Sequence, residues 1–240
     1  RDAEYPLADN TAGFTVCADD AGFIVISVDN QVFDLEVVYP SVTNSTFFNF
    51  FDKDGYLRDN ITADTLIFVG EFSNLGVDAI RINKAVDLIG DGAVLDDIGL
   101  VIIADDVTVD DFEINLSNES GAGAAIVVYG DDVCVENSLI TVNSSEDDES
   151  FAILVEDAED FILINNVINY TGNSDGSAVN NAIRLEDADG AVIEDNIINI
   201  SIPSVPVTYT PPTWEATVLS EGIVVDSSDD VVLSNNTINV

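Results

Sequence analysis

The sequence predicts an all-β chain that forms a parallel β-helix with three strands per coil, preceded by a cap region that contains a short helix. The main evidence is a repeat of three short apolar stretches, separated first by an acidic break and then by an Asp/Asn-rich corner. Because each copy supplies three strands, successive copies are expected to stack as the coils of a solenoid. The copies occupy residues 101–116, 126–142, 153–170, 183–200 and 223–240.

Two regions are expected along the chain. Residues 1–63 form the N-terminal cap region, and residues 64–240 form the solenoid, interrupted by a Pro-rich insertion at about 201–221. Within the cap region, alternating apolar residues predict strands at 22–28 and 32–38.

A short helix is predicted within residues 41–57, with Asn44 or Ser45 as its N-cap and Gly55 at its end. This stretch contains four Phe residues, which is too many for an exposed helix. We therefore expect it to cover the open end of the solenoid, since terminal repeats require a cap.

Alternation along the strands assigns side chains to an inward and an outward face. The outward positions of the first and second strands are apolar as well, and strands that are apolar on both faces are normally covered on both. We expect an interface here, either a lateral contact between subunits or a face that the insertion covers. The expected interface residues are Ile102, Val127, Leu154, Val224, Ile162, Val192, Val232 and Trp214.

The second corner of the repeat carries an inward polar residue. Asn166, Asn196 and Asn236 align there, with Ser138 and Phe112 at the same position in the other two copies. Stacked amides satisfy both the bent backbone and each other, so the sequence predicts an Asn ladder.

The chain is strongly acidic. Asp and Glu number 46 against 6 Lys and Arg, which gives a formal net charge of −40. Phosphate binding requires clusters of basic side chains, so no nucleic acid is expected as a partner. No apolar run reaches the length of a membrane span, so no membrane insertion is expected.

The acidic breaks are expected to stack into one column. Oxygen-rich clusters of this kind suit Ca²⁺, although the chain contains neither an EF-hand loop nor a glycine-rich calcium repeat. The alternative is a hydrated, charged edge that bulk salt screens. No other cofactor is expected. The candidate Ca²⁺ column contains Asp105, Asp106, Asp131, Asp132, Asp157, Asp160, Asp187, Asp229 and Asp230.

Eight N-x-S/T sequons are present, more than the composition predicts, and three of them lie in an outward column of the third strand. They indicate a secreted glycoprotein with sugars along one face; the alternative is that an Asn- and Thr-rich repeat generates sequons by composition. The candidate glycosylation sites are Asn44, Asn60, Asn115, Asn118, Asn143, Asn169, Asn199 and Asn235.

Two cysteines do not form a disulfide framework. Cys17 and Cys134 either pair within the chain, pair between subunits or remain free. The sequence begins at Arg1 and contains no Met, which fits a processed or cropped chain. The fifth copy stops at Val240, so either the protein continues or the open end stacks on a neighbouring subunit.

These features resemble a known group of proteins. Residues 44–57 (NSTFFNFFDKDGYL), residues 64–95 and the V-x-[IVL]-x-[ND]-N-x-I-x-[VI] repeats to residue 240 look like the right-handed parallel β-helix proteins of the pectate-lyase-like superfamily. More closely, they are similar to the adhesin-like β-helical surface proteins of methanogenic archaea. The resemblance implies a right-handed, single-stranded β-helix and an extracellular, wall-associated or filament-forming role. The chain departs from that group in its low Lys and high Asp content.

The expected function is an extracellular structural or adhesin-like surface protein, a self-assembling subunit of a sheath, surface layer or filament. One alternative is a carbohydrate-binding adhesin module that contacts surface glycans through outward Asn, Tyr or Trp214. Another is a polysaccharide lyase or hydrolase, since enzymes of the resembled superfamily cleave acidic polysaccharides. The chain contains no His, and Arg184 is the only basic residue in the five copies, so no catalytic residues are assigned.

Overall fold

A computed structural model describes residues 14–17, 23–29, 32–117, 123–144, 150–172, 179–201 and 219–240. Trp214, Asn118 and most of the Pro-rich insertion lie outside these residues. The described chain is mostly β and contains two parallel sheets and one antiparallel sheet. The prediction of an all-β chain with parallel sheets is confirmed.

The antiparallel sheet lies in the N-terminal region, where two of its three strands were predicted. Its strand order is β1-β2-β3. The strands are β1 (Phe14–Cys17), β2 (Phe23–Asp29) and β3 (Val32–Val38).

The first parallel sheet collects the first strand of every repeat. Each strand pairs in parallel with its equivalent in the next repeat, in the order β19-β16-β13-β10-β8-β6. The strands are β6 (Ala79–Ile82), β8 (Gly99–Ile102), β10 (Ala124–Val128), β13 (Ser150–Glu156), β16 (Val179–Glu186) and β19 (Leu219–Asp226).

The second parallel sheet has twelve strands and collects the second and third strands of the repeats. Its early strands are β4 (Ser41–Val42), β5 (Thr65–Phe72), β7 (Asp87–Asp96) and β9 (Thr108–Ser117). The second strands of later repeats are β11 (Cys134–Glu136), β14 (Ile162–Ile164), β17 (Val192–Glu194) and β20 (Val232–Ser234). The third strands are β12 (Leu139–Asn143), β15 (Val167–Thr171), β18 (Ile197–Ser201) and β21 (Thr237–Asn239).

Strand β9 joins the two rows of the twelve-stranded sheet. Its first part pairs with β11 and its last part pairs with β12, so one strand serves both rows across the second corner. Inward residues of both parallel sheets meet in one continuous buried core that is mostly aliphatic, with most of its aromatic residues at the N-terminal end. Burial of this apolar surface is the dominant stabilising contribution to such a core.

The predicted inward Asn ladder is confirmed. Asn196 Nδ2 donates to the carbonyls of Leu163 (2.8 Å) and Glu194 (2.9 Å) and to Asn236 Oδ1 (3.0 Å). Asn196 Oδ1 accepts from the backbone N–H of Asn166 at 2.8 Å and from its Nδ2 at 3.1 Å. The amides therefore satisfy backbone groups that the corner removes from the strand ladder.

The ladder continues into the earlier copies with shorter side chains. The backbone N–H of Ser138 donates to Asn166 Oδ1 at 2.9 Å, and the N–H of Phe112 donates to Ser138 Oγ at 3.1 Å. Phe112 itself packs against Phe68 in the core, with ring centroids 5.3 Å apart. The ladder of inward polar side chains therefore ends at Phe112, where aromatic residues enter the core.

One predicted register is wrong. Ile102 was assigned outward, but it is fully buried, whereas Ile103 is 42% exposed. Val101 instead pairs with Val127 and occupies the outward position. The corner requires four residues before the next inward residue, Val107, as it does between Val128 and Val133. Ile103 therefore enters the corner, and this one-residue shift moves each side chain of the strand to the other face.

The predicted helix is shorter than expected. Helix α1 (Phe47–Phe50) has Thr46 as its N-cap, so neither Asn44 nor Ser45 caps it, and it ends at Phe51. Asn44 Oδ1 instead accepts from the backbone N–H of Ser73 at 3.2 Å. Gly55 lies in the following turn with φ +83°, where a Cβ would collide with the Ala79 carbonyl.

The aromatic residues around this helix belong to the main core. The rings of Phe47 and Phe51 stack with centroids 4.7 Å apart, and Phe51 contacts Phe68 on β5. Strand β4 also pairs with β5, so the twelve-stranded sheet extends across the predicted boundary at residue 63. Phe48, by contrast, is 45% exposed.

Basic side chains tie this end of the molecule together. Lys84 Nζ donates to the carbonyls of Arg58 (2.7 Å) and Ile61 (3.1 Å). Arg58 Nε donates to the carbonyls of Phe48 (3.1 Å) and Phe51 (2.9 Å). These bonds supply charged donors to backbone carbonyls in and after the short helix.

Replacing Lys84 with Met is expected to lower the free energy of unfolding by about 2 kcal/mol, because two carbonyls lose a charged donor. The matched control is Lys53→Met. Lys53 is 85% exposed and pairs with Asp54, the adjacent residue, so that change is expected to stay within about 0.5 kcal/mol. Urea unfolding followed by circular dichroism measures both, and equal effects would contradict this role for Lys84.

Candidate functional site

The acidic corner between the first and second strands is the most highly charged surface of the repeats. Backbone hydrogen bonds place its carboxylates in three parallel lines, so the expectation of one column is wrong. The first line contains Asp105, Asp131, Glu159, Asp189 and Asp229. The second contains Asp106, Asp132, Asp160 and Asp230, with Gly190 in the fourth copy. The third contains Asp157 and Asp187, followed by Ser227.

Backbone conformation explains two of these lines. Every residue in the second and third lines has a positive φ, between 50° and 73°. Asp, Asn and Gly tolerate this left-handed conformation best. Because Asp suits this tight corner, it recurs there in most repeats, and negative charge builds up along one edge of the molecule.

The first line has a different role. Asp105 Oδ1 accepts from the backbone N–H of Asp131 at 3.0 Å, and Asp131 Oδ1 accepts from that of Glu159 at 2.8 Å. In the same way, Asp189 Oδ1 accepts from the backbone N–H of Asp229 at 2.6 Å. Three of the five carboxylates, those of Asp105, Asp131 and Asp189, thus hold the backbone of the next repeat in place.

Metal ligation requires several oxygens around one point. Within the described part of the chain, no group of three or more acidic, His or Cys side chains converges on such a point. Eight of the nine candidate Asp residues are exposed, and Asp131 is half-buried. The arrangement favours an edge screened by bulk cations, and specific Ca²⁺ binding remains a prediction.

The outward face of the six-stranded sheet is partly covered. Val127 is only 7% exposed and packs with Ala124 and Phe151 in a second, smaller buried cluster, against which Val101 and Leu154 pack. Val127 is therefore outward as predicted but is not free for another subunit. Phe151 escaped the sequence analysis because it precedes the copy at 153–170, and the equivalent residue of the preceding repeat is the small Ala124.

Arg184 occupies the same outward column as Leu154 and Val224. Its guanidinium contacts Glu186 at 3.1 Å and Asp226 at 3.6 Å. Glu186 lies two residues after Arg184 on the same strand, and Asp226 holds the equivalent position in the next repeat. The two carboxylates neutralise the arginine, which explains how a charged residue fits in an apolar column. An arginine paired in this way is a structural cation and not a proton acceptor.

A second outward stripe lies on the twelve-stranded sheet and stays exposed. We call Cys134, Ile162, Val192 and Val232 the outer apolar stripe; they occupy equivalent positions in adjacent repeats. Ile162 is 39% exposed and Val232 is 47% exposed, while Cys134 and Val192 are half-buried. This stripe matches the second half of the predicted interface.

Cys134 is a free cysteine. Burial, with the nearby negative charges of Glu136 and Asp110, raises the pKa of its thiol to about 11. The thiolate is the reactive form, so this environment slows oxidation at neutral pH. Cys17 lies on β1, and its side chain is outside the described residues, so a disulfide between the two remains a prediction.

The outward face of the third strand carries the predicted column of amides. Asn199 Nδ2 donates to Asn169 Oδ1, and Asn239 Nδ2 donates to Asn199 Oδ1, both at 2.8 Å. Asn115 Nδ2 donates to Glu113 Oε1 at 2.9 Å, two residues away on the same strand. We call Asn115, Thr141, Asn169, Asn199 and Asn239 the outer Asn column.

Comparison with known proteins finds no match, whether to a protein-family model, to a curated protein or to a solved structure. Among the described residues, no helix is long and apolar enough to cross a membrane. The function is therefore inferred from the surfaces of the chain.

Proposed function

We propose that this chain is an extracellular, adhesin-like structural protein that works by self-assembly, as a subunit of a sheath, surface layer or filament. We further propose that its parallel sheets close into a right-handed, single-stranded β-helix. Each additional repeat then lengthens every surface stripe by one residue, so a long binding surface arises from simple repetition.

The outer apolar stripe is the observation that carries this proposal. A chain with a net charge of −40 keeps apolar side chains exposed or half-buried at equivalent positions of successive repeats, with Ile162 39% and Val232 47% exposed. Adjacent parallel strands lie about 4.8 Å apart, so the stripe is continuous. Exposed contiguous apolar surface is typical of protein–protein contacts.

Electrostatics sets the conditions for assembly. Two subunits of this charge repel each other at low ionic strength, where the Debye length is about 30 Å at 0.01 M salt. At about 1 M salt it falls to about 3 Å, so only groups in direct contact still interact. Assembly through an apolar stripe is therefore expected to be favoured by high salt. The eight sequons support the extracellular location.

Sedimentation velocity of the purified chain at about 1 M KCl tests the proposal. The unmodified chain is expected to form polymers, and the double variant Ile162→Lys/Val192→Lys is expected to stay monomeric. The control is Thr141→Lys/Thr171→Lys, which adds the same charge at outward positions of the third strand. Polymers are expected to persist in the control, and loss of assembly in both variants would contradict a specific role for the stripe.

A further inference from the structure

We infer that N-linked glycans attach at Asn44, Asn60, Asn143 and Asn235, and that the folded chain excludes them from Asn115, Asn169 and Asn199. The inference rests on the proposed extracellular location. It replaces the sequence-based expectation of sugars along the outer Asn column with sugars at turns and strand ends.

Two of the excluded asparagines, Asn169 and Asn199, are joined in one side-chain ladder. Asn199 uses Nδ2 to reach Asn169 and uses Oδ1 to accept from Asn239. A glycan is attached to Nδ2 and would have to emerge between neighbouring side chains only about 4.8 Å apart. Asn169 and Asn199 are both half-buried and lie in adjacent repeats. A sugar on either one would displace the other.

Asn115 is engaged in a different way. Its Nδ2 donates to Glu113 Oε1 at 2.9 Å, and the hydroxyl of Ser117, the third residue of its sequon, donates to Asp97 Oδ1 at 2.6 Å. The backbone N–H of Ser117 also donates to Asp97 at 2.8 Å. The Nδ2 of Asn115 that would carry the glycan is therefore already engaged.

The four open sequons have exposed asparagines. Asn60 and Thr62 lie in the segment before β5, and both are exposed. Asn235, with φ +55°, forms the corner before β21, and Thr237 is exposed beside it.

The other two open sites lie at the edges of regular elements. Asn143 is the last residue of β12 and is exposed. Asn44 precedes α1, and its Oδ1 accepts from Ser73, while its Nδ2 has no hydrogen-bond partner among the described residues and is left for a glycan. The hydroxyl of Thr46, the third residue of this sequon, bonds locally to Thr43. At these sites a sugar can extend into solvent without breaking a side-chain ladder.

Secretion of the full chain from mammalian cells tests the inference at each site. The protease-resistant folded fraction, from the medium or from cell extract, is treated with peptide N-glycosidase in ¹⁸O water and analysed by peptide mass spectrometry. We expect isotope labelling at Asn44, Asn60, Asn143 and Asn235 and no labelling at Asn115, Asn169 and Asn199. Glycans on the last three are expected only in the protease-sensitive fraction.

Two substitutions provide the matched comparison. Asn60→Gln is expected to remove one glycan from the intact mass, whereas Asn199→Thr, which copies the residue at Thr141, is expected to remove none. A glycan on Asn115, Asn169 or Asn199 in the folded fraction, or unoccupied asparagines at the four open sites, would overturn the inference. A chain with the expected pattern that stays monomeric in sedimentation would instead contradict the proposed assembly.

Discussion

Replacing Asn196 with leucine is expected to lower the free energy of unfolding by about 4 kcal/mol. Asn196 is 1% exposed, and its amide bonds the carbonyls of Leu163 and Glu194 and the backbone N–H of Asn166. Leucine has a similar size but can neither donate nor accept. Each buried backbone group left without a partner costs about 1–3 kcal/mol, and two are affected here, the Leu163 carbonyl and the Asn166 N–H. The Glu194 carbonyl still accepts from the backbone N–H of Asn165.

Two further substitutions separate this effect from a general sensitivity of the repeats. Asn196→Ser copies Ser138, which occupies the same position in an earlier repeat, and is expected to retain part of the lost stability. Asn199→Thr changes the outer Asn column and is expected to stay within about 0.5 kcal/mol. Urea unfolding monitored by circular dichroism ranks the three. A leucine variant as stable as the unmodified chain would contradict the structural role of the inward ladder.

Raising KCl from about 0.02 M to about 1 M is expected to stabilise the fold by about 3 kcal/mol. Neighbouring carboxylates in each acidic line repeat with the strand spacing of about 4.8 Å, and two unit charges at that distance repel by about 1 kcal/mol in water. Screening removes most of this repulsion at high salt. Thermal unfolding across a KCl series measures the effect as a rise in melting temperature.

The triple variant Asp106→Asn/Asp132→Asn/Asp160→Asn is the matched control. Asparagine keeps the left-handed corner conformation at all three positions and removes three negative charges from one line. We expect the variant to be more stable than the unmodified chain at low salt and to respond less to KCl. EDTA at constant ionic strength is expected to leave the melting temperature of the unmodified chain unchanged. A clear drop with EDTA would instead identify a specific Ca²⁺ site.

Much of the repeat could be predicted because its chemistry is periodic. The inward polar residues at 138, 166, 196 and 236 and the outer Asn column recur at fixed distances from the apolar pairs, and strands of period two fix which face each occupies. The prediction failed where a repeat has a different number of residues in its corner. Ile102 moved inward because the corner after it takes four residues, and the sequence alignment allowed three.

Contacts without a period could not be predicted in the same way. Lys84 reaches carbonyls at residues 58 and 61 because the chain brings two irregular segments together, and no spacing in the sequence marks that approach. Phe151 covers Val127 from a position outside the repeat pattern. The helix contracted to four residues because its aromatic side chains follow the core and not a helical face.

The described surface is divided into stripes that differ in their chemistry and in the contacts they make. The acidic lines hold corners, the inward amides hold the bends, and the outer apolar stripe is the surface left exposed. None of these stripes gathers a nucleophile, a base and a stabilising cation around one point within the described residues, and Arg184 is already paired. We propose assembly because it gives a role to the outer apolar stripe.

Electron microscopy of the purified chain, applied to grids from about 1 M KCl, tests this proposal most directly. We expect ordered polymers, either filaments or sheets, whose contacts are lost in the double variant Ile162→Lys/Val192→Lys. Single, separate particles of the unmodified chain at every salt and protein concentration tested would contradict the proposed function.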